Sequence, residues 1–213
     1  TFFNPQVGTN FFSQPFKPTT GDQFEAGIKY EIPGANAFLT VAAFDLALAN
    51  SLTSDPTNPL NQLQLGETRS RGFEAQLVAN ITTDFNVVAS FTSYNLEITK
   101  GDVGAIGRTP TNTPETLASI FADYTIPTGD WAGFGFGAGV RYVGRSFADV
   151  NNTLTVPERA LFDAVVHYSR DNWRFAINAA NLADKRFVSS CQSVNACFYG
   201  EQRRITASLS YKW

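Results

Sequence analysis

Side chains alternate between apolar and polar along most of this chain, and the last stretch is the cleanest. Ile205, Ala207, Leu209, Tyr211 and Trp213 fall on one side of an extended backbone; Arg204, Thr206, Ser208, Ser210 and Lys212 fall on the other. Five alternations without a miss exclude an amphipathic helix, whose apolar residues recur about every 3.6 positions. The pattern returns upstream. Phe24, Ala26, Ile28, Tyr30 and Ile32 alternate with Glu25, Gly27, Lys29 and Glu31. Phe73, Ala75, Leu77, Ala79 and Ile81 alternate with Glu74, Gln76, Val78 and Asn80. Phe134, Phe136, Ala138, Val140 and Tyr142 stand against glycines and Arg141, and Trp173, Phe175, Ile177 and Ala179 against Arg174, Ala176, Asn178 and Ala180. Residues 87–95, 117–126 and 161–169 alternate less cleanly, and residues 38–48 are strand-like but apolar on both faces.

These nine expected strands approach the roughly 9–11 residues that a tilted strand needs to cross a bilayer, where soluble strands run nearer ~5–6. The connections between them alternate in length. The short ones are 33–36, 82–86, 127–130 and 170–172; the long ones are 51–63, 100–114, 148–157 and 188–200. Short turns on one side of a membrane and longer loops on the other are the habit of outer-membrane barrels. The expected fold class is therefore all-β, an antiparallel transmembrane β-barrel. On that reading the Phe- and Pro-rich segment 1–21 enters from outside and Trp213 ends on the periplasmic side, with Tyr30, Tyr142, Tyr168, Tyr211 and Trp213 near the interfaces. An odd number of strands cannot close such a barrel, and an open edge in lipid leaves backbone groups unsatisfied. Further strands are expected upstream.

Composition agrees. Aromatic residues make up 14% of the chain against only 16% charged, where about a quarter charged is usual. The net charge of −3 and the pI near 5.2 offer no basic face to nucleic acid. No apolar run is long enough for a membrane helix; the best, residues 38–49, is broken by Asp45. The chain starts Thr1-Phe2-Phe3 without Met or a visible leader, so either a leader has been removed or the sequence starts in mid-protein. Cys191 and Cys197 are spaced too widely for a CxxC motif, and one histidine cannot build a Cys/His zinc set. A short disulfide loop, and hence an oxidising compartment, is expected, with two free thiols as the alternative.

Several motifs resemble one family along the whole length. They include residues 16–18 with Gly21-Asp22-Gln23-Phe24-Glu25-Ala26-Gly27-Ile28-Lys29-Tyr30, and Arg69-Ser70-Arg71-Gly72-Phe73-Glu74. Thr109-Pro110, Ala122-Asp123-Tyr124 and Gly139-Val140-Arg141-Tyr142-Val143-Gly144 follow in order. Then come Asn181-Leu182-Ala183-Asp184-Lys185-Arg186-Phe187 and Cys191 to Cys197 with Phe198-Tyr199-Gly200. The chain resembles the C-terminal part of TonB-dependent siderophore receptors, of the ferrichrome and ferric-hydroxamate type. Ala183 and Phe187 depart from the family's Asn-Leu-Phe-Asp-Lys-x-Tyr, and no aromatic lies between the cysteines.

The resemblance implies a 22-stranded barrel, with a plug domain and earlier strands upstream of residues 1–213. It implies an outer-membrane receptor that imports a ferric siderophore, of the hydroxamate class, without transforming it. Energy would come from the TonB-ExbB-ExbD complex through the N-terminal region, iron would arrive already chelated, and Trp213 would serve the barrel assembly machinery. A passive porin or structural barrel is the alternative; a soluble lectin-like sandwich is more distant.

Within this frame a Cys191–Cys197 bridge would pin an outer loop over the barrel mouth. Phe198 and Tyr199, with Phe2, Phe3, Phe11 and Phe12, lie in segments expected outside; they are either ligand contacts or the packing core of the loops themselves. His167 shares a strand face with Asp163 and Ser169. Positions two and four apart lie about 7 and 13 Å apart along a strand, so no nucleophile–base–orienter chain can form. Catalysis is not expected; a polar lumen network is. Glu25, Lys29, Glu31, Arg69, Arg71, Glu74, Arg141, Arg174, Arg203 and Arg204 include several expected inward charges. Gly133, Gly135, Gly137 and Gly139 form a smooth inward strip, against which plug or loop backbone is expected to approach.

Overall fold

The computed structural model describes residues 2–5, 14–54, 62–101, 104–193 and 195–213. The strands are β1 (Phe2–Asn4), β2 (Thr19–Glu31), β3 (Asn36–Ser54), β4 (Gln62–Asn80), β5 (Phe85–Lys100), β6 (Thr116–Thr125) and β7 (Phe134–Val143). They continue as β8 (Ser146–Phe147), β9 (Thr155–Val156), β10 (Arg159–Arg170), β11 (Trp173–Ala180), β12 (Val188–Ser193), β13 (Ala196–Tyr199) and β14 (Arg204–Tyr211). Ten of them form one antiparallel sheet in the order β1-β2-β3-β4-β5-β6-β7-β10-β11-β14. The pairs β8-β9 and β12-β13 are separate ribbons. All nine expected strands are present, and β1 adds a tenth. No described residue is helical.

Cross-strand partners share a face, so the register sorts every side chain. One row runs Ile28, Val41, Ala75, Phe91, Ala118, Tyr142 and Ala160. Nearer the chain end, Val166, Ile177 and Ala207 stand side by side, as do Tyr168, Phe175 and Leu209. This face is a continuous oily band. Its large side chains stand in the open: Phe24, Ile28, Phe136, Phe162, Ile205 and Leu209 are all exposed. At the short-turn end it closes on paired rings, Trp173 against Tyr211 with centroids 4.7 Å apart and Tyr124 against Phe136 at 5.9 Å. Rings that are half apolar and half polar suit that boundary with water.

The opposite face carries Glu25, Lys29, Glu31, Glu74, Arg141, Arg174 and Arg204. It is the inner face. His167 and Leu161 on it are buried. Arg69 and Arg71 are not among the inward charges, which corrects the sequence expectation. Arg71 lies opposite Asp45 and Asn95, in the same alternation as Phe73, on the outer face.

Two further expectations shift. β3 and β4 are 19 residues each, so the strand hairpin runs on into much of the segment expected as the 51–63 loop. β14 ends at Tyr211; Lys212 N–H donates to the Asn172 carbonyl at 2.9 Å, and Trp213 lies beyond the ladder, wholly exposed.

The two-faced sheet has a direct consequence in lipid. Ile177→Arg, near mid-band on the outer face, should destabilise the folded protein by about 2–4 kcal/mol. Asn178→Arg, one residue along on the inner face, should cost less than about 1 kcal/mol. Denaturant unfolding in lipid vesicles measures both; equal costs would contradict the facing.

Candidate functional site

Three connections meet at the end of the sheet opposite the short turns, described over residues 104–115, 144–158, 181–193 and 195–203. Their ribbons pack Ala148, Val156 and Cys191 into a small core, with Val188 against it. Polar bonds join the loops across long sequence distances. Cys191 N–H donates to Asn112 Oδ1 at 2.7 Å, and Asn112 N–H donates to the Phe147 carbonyl at 3.0 Å. Asn152 accepts from Thr109 N–H at 2.8 Å and returns a bond to the Thr109 carbonyl at 2.9 Å. Arg108 reaches the Asn151 side chain. Asn112 and Asn152 have φ of 60° and 57°, a left-handed turn geometry that asparagine tolerates.

Asp149 organises the 144–158 loop from within. Its carboxylate accepts from the N–H groups of Leu154 at 2.7 Å, Thr153 at 2.9 Å and Asn151 at 3.2 Å, and from the Thr153 hydroxyl at 2.9 Å. The Leu154 N–H, then the Thr153 hydroxyl and the remaining amides, hold its pKa below the ordinary carboxylate value against an opposing push from burial.

The third loop carries Cys191 and Cys197, which form a disulfide with Cα atoms 4.0 Å apart across the β12-β13 ribbon. Its base is set by the Asn181–Phe187 motif. Asn181 is buried; its amide donates to the carbonyls of Lys185 at 2.9 Å and Glu201 at 3.1 Å, and its Oδ1 accepts from Lys185 N–H at 2.9 Å. Asp184 accepts from Arg203 N–H at 2.9 Å. Phe187 carries the Arg159 guanidinium 4.9 Å from its ring centroid and lies against Gly200, where a Cβ would come within 2.0 Å of the ring. The motif is thus a clamp joining the two ends of the disulfide loop. Phe198 and Tyr199 lie on the β13 side of this ribbon and are 49% and 82% exposed. Phe11 and Phe12 lie outside the described residues.

Below the loops, the inner wall differs from its expected form in one respect. The glycine strip of β7 is covered by neighbouring side chains rather than left open. His167 lies across Gly135, where a Cβ would meet its ring at 2.2 Å, and Phe121 lies over Gly139. The smooth backbone lets His167 of β10 reach over β7 to Asp123 of β6, with Nε2 3.1 Å from the carboxylate. Asp163 is occupied elsewhere, by Arg141 at 2.9 Å and by Asn181 N–H at 2.9 Å. No Ser169–His167–Asp163 chain exists. Asp123, the actual partner, is on another strand, and only the register brings it near.

The doubly apolar character of β3 also has a local explanation. Phe44 and Leu46 face Tyr94 and Leu96 across the small residues Gly72 and Ser70. Together they line an inner-face groove of about 320 Å³ in the half of the sheet nearer the loops.

Comparison with known proteins decides what this arrangement belongs to. A family model described as TonB dependent receptor-like, beta-barrel matches residues 1–182. The chain belongs to the TonB-dependent receptor β-barrel family. It is 33% identical to the ferrichrome outer membrane transporter/phage receptor of Escherichia coli (strain K12), over 99% of this chain and 29% of that protein. It is 32% identical to the ferrioxamine receptor of Yersinia enterocolitica, over 92% of this chain and 28% of that protein. The crystal structure of the siderophore receptor PiuA from Acinetobacter baumannii superposes with a TM-score of 0.79 at 27% identity, covering 97% of this chain and 30% of that one. This TonB-dependent receptor segment therefore spans under a third of the length of these relatives, and it is an outer-membrane β-barrel portion.

Two outcomes follow from the loop geometry. A folded-state pKa held low means that the Asp149 network is intact at neutral pH and fails only as the pH falls through that depressed value. Hydrogen exchange at the amides of Asn151, Thr153 and Leu154 should stay protected until below the ordinary aspartate range, whereas Asp149→Asn should show weaker protection at neutral pH and little further change in acid. Separately, the native, non-reduced receptor should titrate no thiol at Cys191 or Cys197. Replacing both by Ser should cost the β12-β13 ribbon roughly 2 kcal/mol of local stability, read as faster exchange there.

Proposed function

We propose that the full-length receptor imports a ferric siderophore of the hydroxamate class across the outer membrane, driven by TonB-supplied energy. The observation that carries this reading is similarity along nearly the whole chain to receptors named for ferrichrome and ferrioxamine. The loop geometry supports it. A disulfide, an asparagine clamp and a shared core hold three loops as one unit, from which Phe198 and Tyr199 project as rings able to grip a bulky chelate. Preorganised rims lose less conformational entropy when a ligand docks.

In this reading the open edges at β1 and β14 are completed by further strands of the same receptor, with a plug domain inside. Iron is cargo and arrives already chelated. TonB-ExbB-ExbD acts through the N-terminal region, and exposed Trp213 serves the barrel assembly machinery.

An iron-starved strain with and without the intact gene tests the proposal. Gene-dependent growth on ferrichrome or ferrioxamine B, abolished when TonB is deleted, is the expected result. Growth that does not depend on the gene for any hydroxamate would remove the substrate class; growth indifferent to TonB would point to a passive pore.

A further inference from the structure

Along β3, β4 and β5 the two faces exchange character towards the long-loop end. The outer face, oily as far as Phe73 and Phe91, turns to Asp45, Arg71 and Glu97, whereas the inner face of the same strands turns to Phe44, Leu46, Tyr94 and Leu96. Phe85, opposite Tyr124, marks the oily band's short-turn edge, and Asn95, beside Arg71, is ten residues along the same strand. At about 3.3 Å per residue and a tilt near 40°, that is a height of about 25 Å, the full thickness of a barrel's lipid-facing band. The apolar inner patch thus begins where the outer band ends. Lipid does not reach it, and an apolar patch outside lipid marks a surface that binds something.

The inner groove of about 320 Å³ runs along this patch. At its foot Glu74 stands between Ala42 and Thr92. One row nearer the loops, Phe44 and Tyr94 flank Gly72, which puts no side chain between them. Their strands lie about 10 Å apart, two ladder spacings, so a group of ammonium size between the rings is within cation–π reach of both. The next row sets Leu46 and Leu96 on either side of Ser70. Beyond Leu96, Ile98 N–H donates to the Arg108 carbonyl at 2.9 Å, and the Ile98 carbonyl accepts from Gly107 N–H at 2.8 Å. The groove therefore runs into the loop cluster at one end and stops at a carboxylate at the other.

Glu74 is exposed and has neither an ion pair nor a hydrogen bond among the described residues. The inner-face charges on β2 are engaged. Glu25 accepts from Gln23 Nε2 at 2.9 Å, and Lys29 Nζ lies 4.9 Å from the Phe38 ring centroid, away from the groove. Glu25 and Glu74 against Lys29 alone leave the foot of the groove negative. A neutral apolar ligand would bury Glu74 without a partner, and a bare metal cation would gain nothing from the leucines. Carboxylate, ring faces and leucines in one line suit a cation carried on an aliphatic chain.

We propose that this groove binds a protonated aminoalkyl arm of the ferric chelate, with the ammonium among Glu74, Phe44 and Tyr94 and the methylenes along Leu46 and Leu96. One row step is about 7 Å, the reach of about five methylenes. Of the ammonium's three donors Glu74 takes one, and the Thr92 hydroxyl stands beside it for a second. The inference rests on the hydroxamate-import reading above. It adds a preference within that class, for chelates that end in a free amine over neutral ones.

Full-length receptor in detergent, titrated with ferrioxamine B and with its N-acetylated form by tryptophan fluorescence quenching, tests this. The two chelates share iron, hydroxamates and chain, and differ in the charge of one amine. Wild type should bind the amine form roughly fivefold more tightly than the acetylated form. Glu74→Gln should lose that preference by weakening the amine form alone, and Tyr94→Phe, which keeps the ring, should retain it. Heat-modifiable mobility on gels confirms that each variant is folded; should Glu74→Gln not fold, Tyr94→Leu against Tyr94→Phe gives the same comparison. Binding of neither chelate would remove the hydroxamate reading, and this inference with it. Equal binding of both by wild type, or an undiminished preference in folded Glu74→Gln, would overturn the arm site and leave the hydroxamate reading standing. So would a Glu74→Gln that weakens both chelates alike, the result if a lysine of the receptor itself fills the groove.

Discussion

Within hydrocarbon no water is available to a backbone N–H or C=O, and each unsatisfied group costs several kcal/mol. Everything else in this structure follows from that constraint. The sheet answers it with an unbroken antiparallel ladder from β2 to β14, in which each inner strand is paired on both sides. Once the ladder is fixed, the pleat leaves each residue a single choice between lipid and interior. A slip of one residue would turn Phe24, Ile28 and Tyr30 inward and Glu25, Lys29 and Glu31 into lipid, so side-chain chemistry locks the register that the backbone requires.

The ladder also separates the tasks of the molecule. Outward residues need only be oily, which explains why rows of Ala, Val, Ile and Phe suffice there. Inward residues meet each other on a concave wall, and crowding there is relieved by removing side chains from one strand. The β7 glycines serve this purpose: with no Cβ at Gly135, His167 spans a whole strand to reach Asp123, tying β10 to β6 across β7. At the rim the ladder ends and polar side chains take over its work. Asn112, Asp149, Asn152 and Asn181 each satisfy backbone groups that no strand pairs.

The membrane-spanning part of this fold was legible in the sequence because it depends on parity alone. Alternation marked the strands, and the contrast between short and long connections marked the two sides. What escaped depends on pairing between distant segments. Asp123 could not be assigned to His167 without knowing that β6 and β10 flank the same glycine strand. The β12-β13 ribbon, with only four residues in β13, has too short an alternation to register. β3 and β4 run on past residue 51 and from residue 62 because the antiparallel pairing continues there, with register shifts around Ser51. Arg69 and Arg71 are a different case. Their parity with Phe73 was visible, but a charge on an oily face runs against the usual rule, and only the register shows that they lie at its edge rather than in its middle.

That edge shows how much one short segment can encode. From Arg69 to Glu74, alternate residues belong to different solvents: Arg69, Arg71 and Phe73 to the outer surface, Ser70, Gly72 and Glu74 to the interior. Asp45 neutralises part of the outward charge exactly where the band ends, so the strand can pass from acyl chains to headgroups without stranding a lone arginine in oil. Inside, Gly72 has no side chain because Tyr94 lies against it, where a Cβ would come within 2.5 Å of the Tyr94 Cβ; this lets the ring close one side of the inner groove beside Phe44 and Leu46. Replacing either arginine by an apolar residue would suit the lipid rule better, yet it would leave Asp45 as a carboxylate at the boundary with fewer donors. The motif is therefore better understood as a unit with Asp45 than as six residues of one strand.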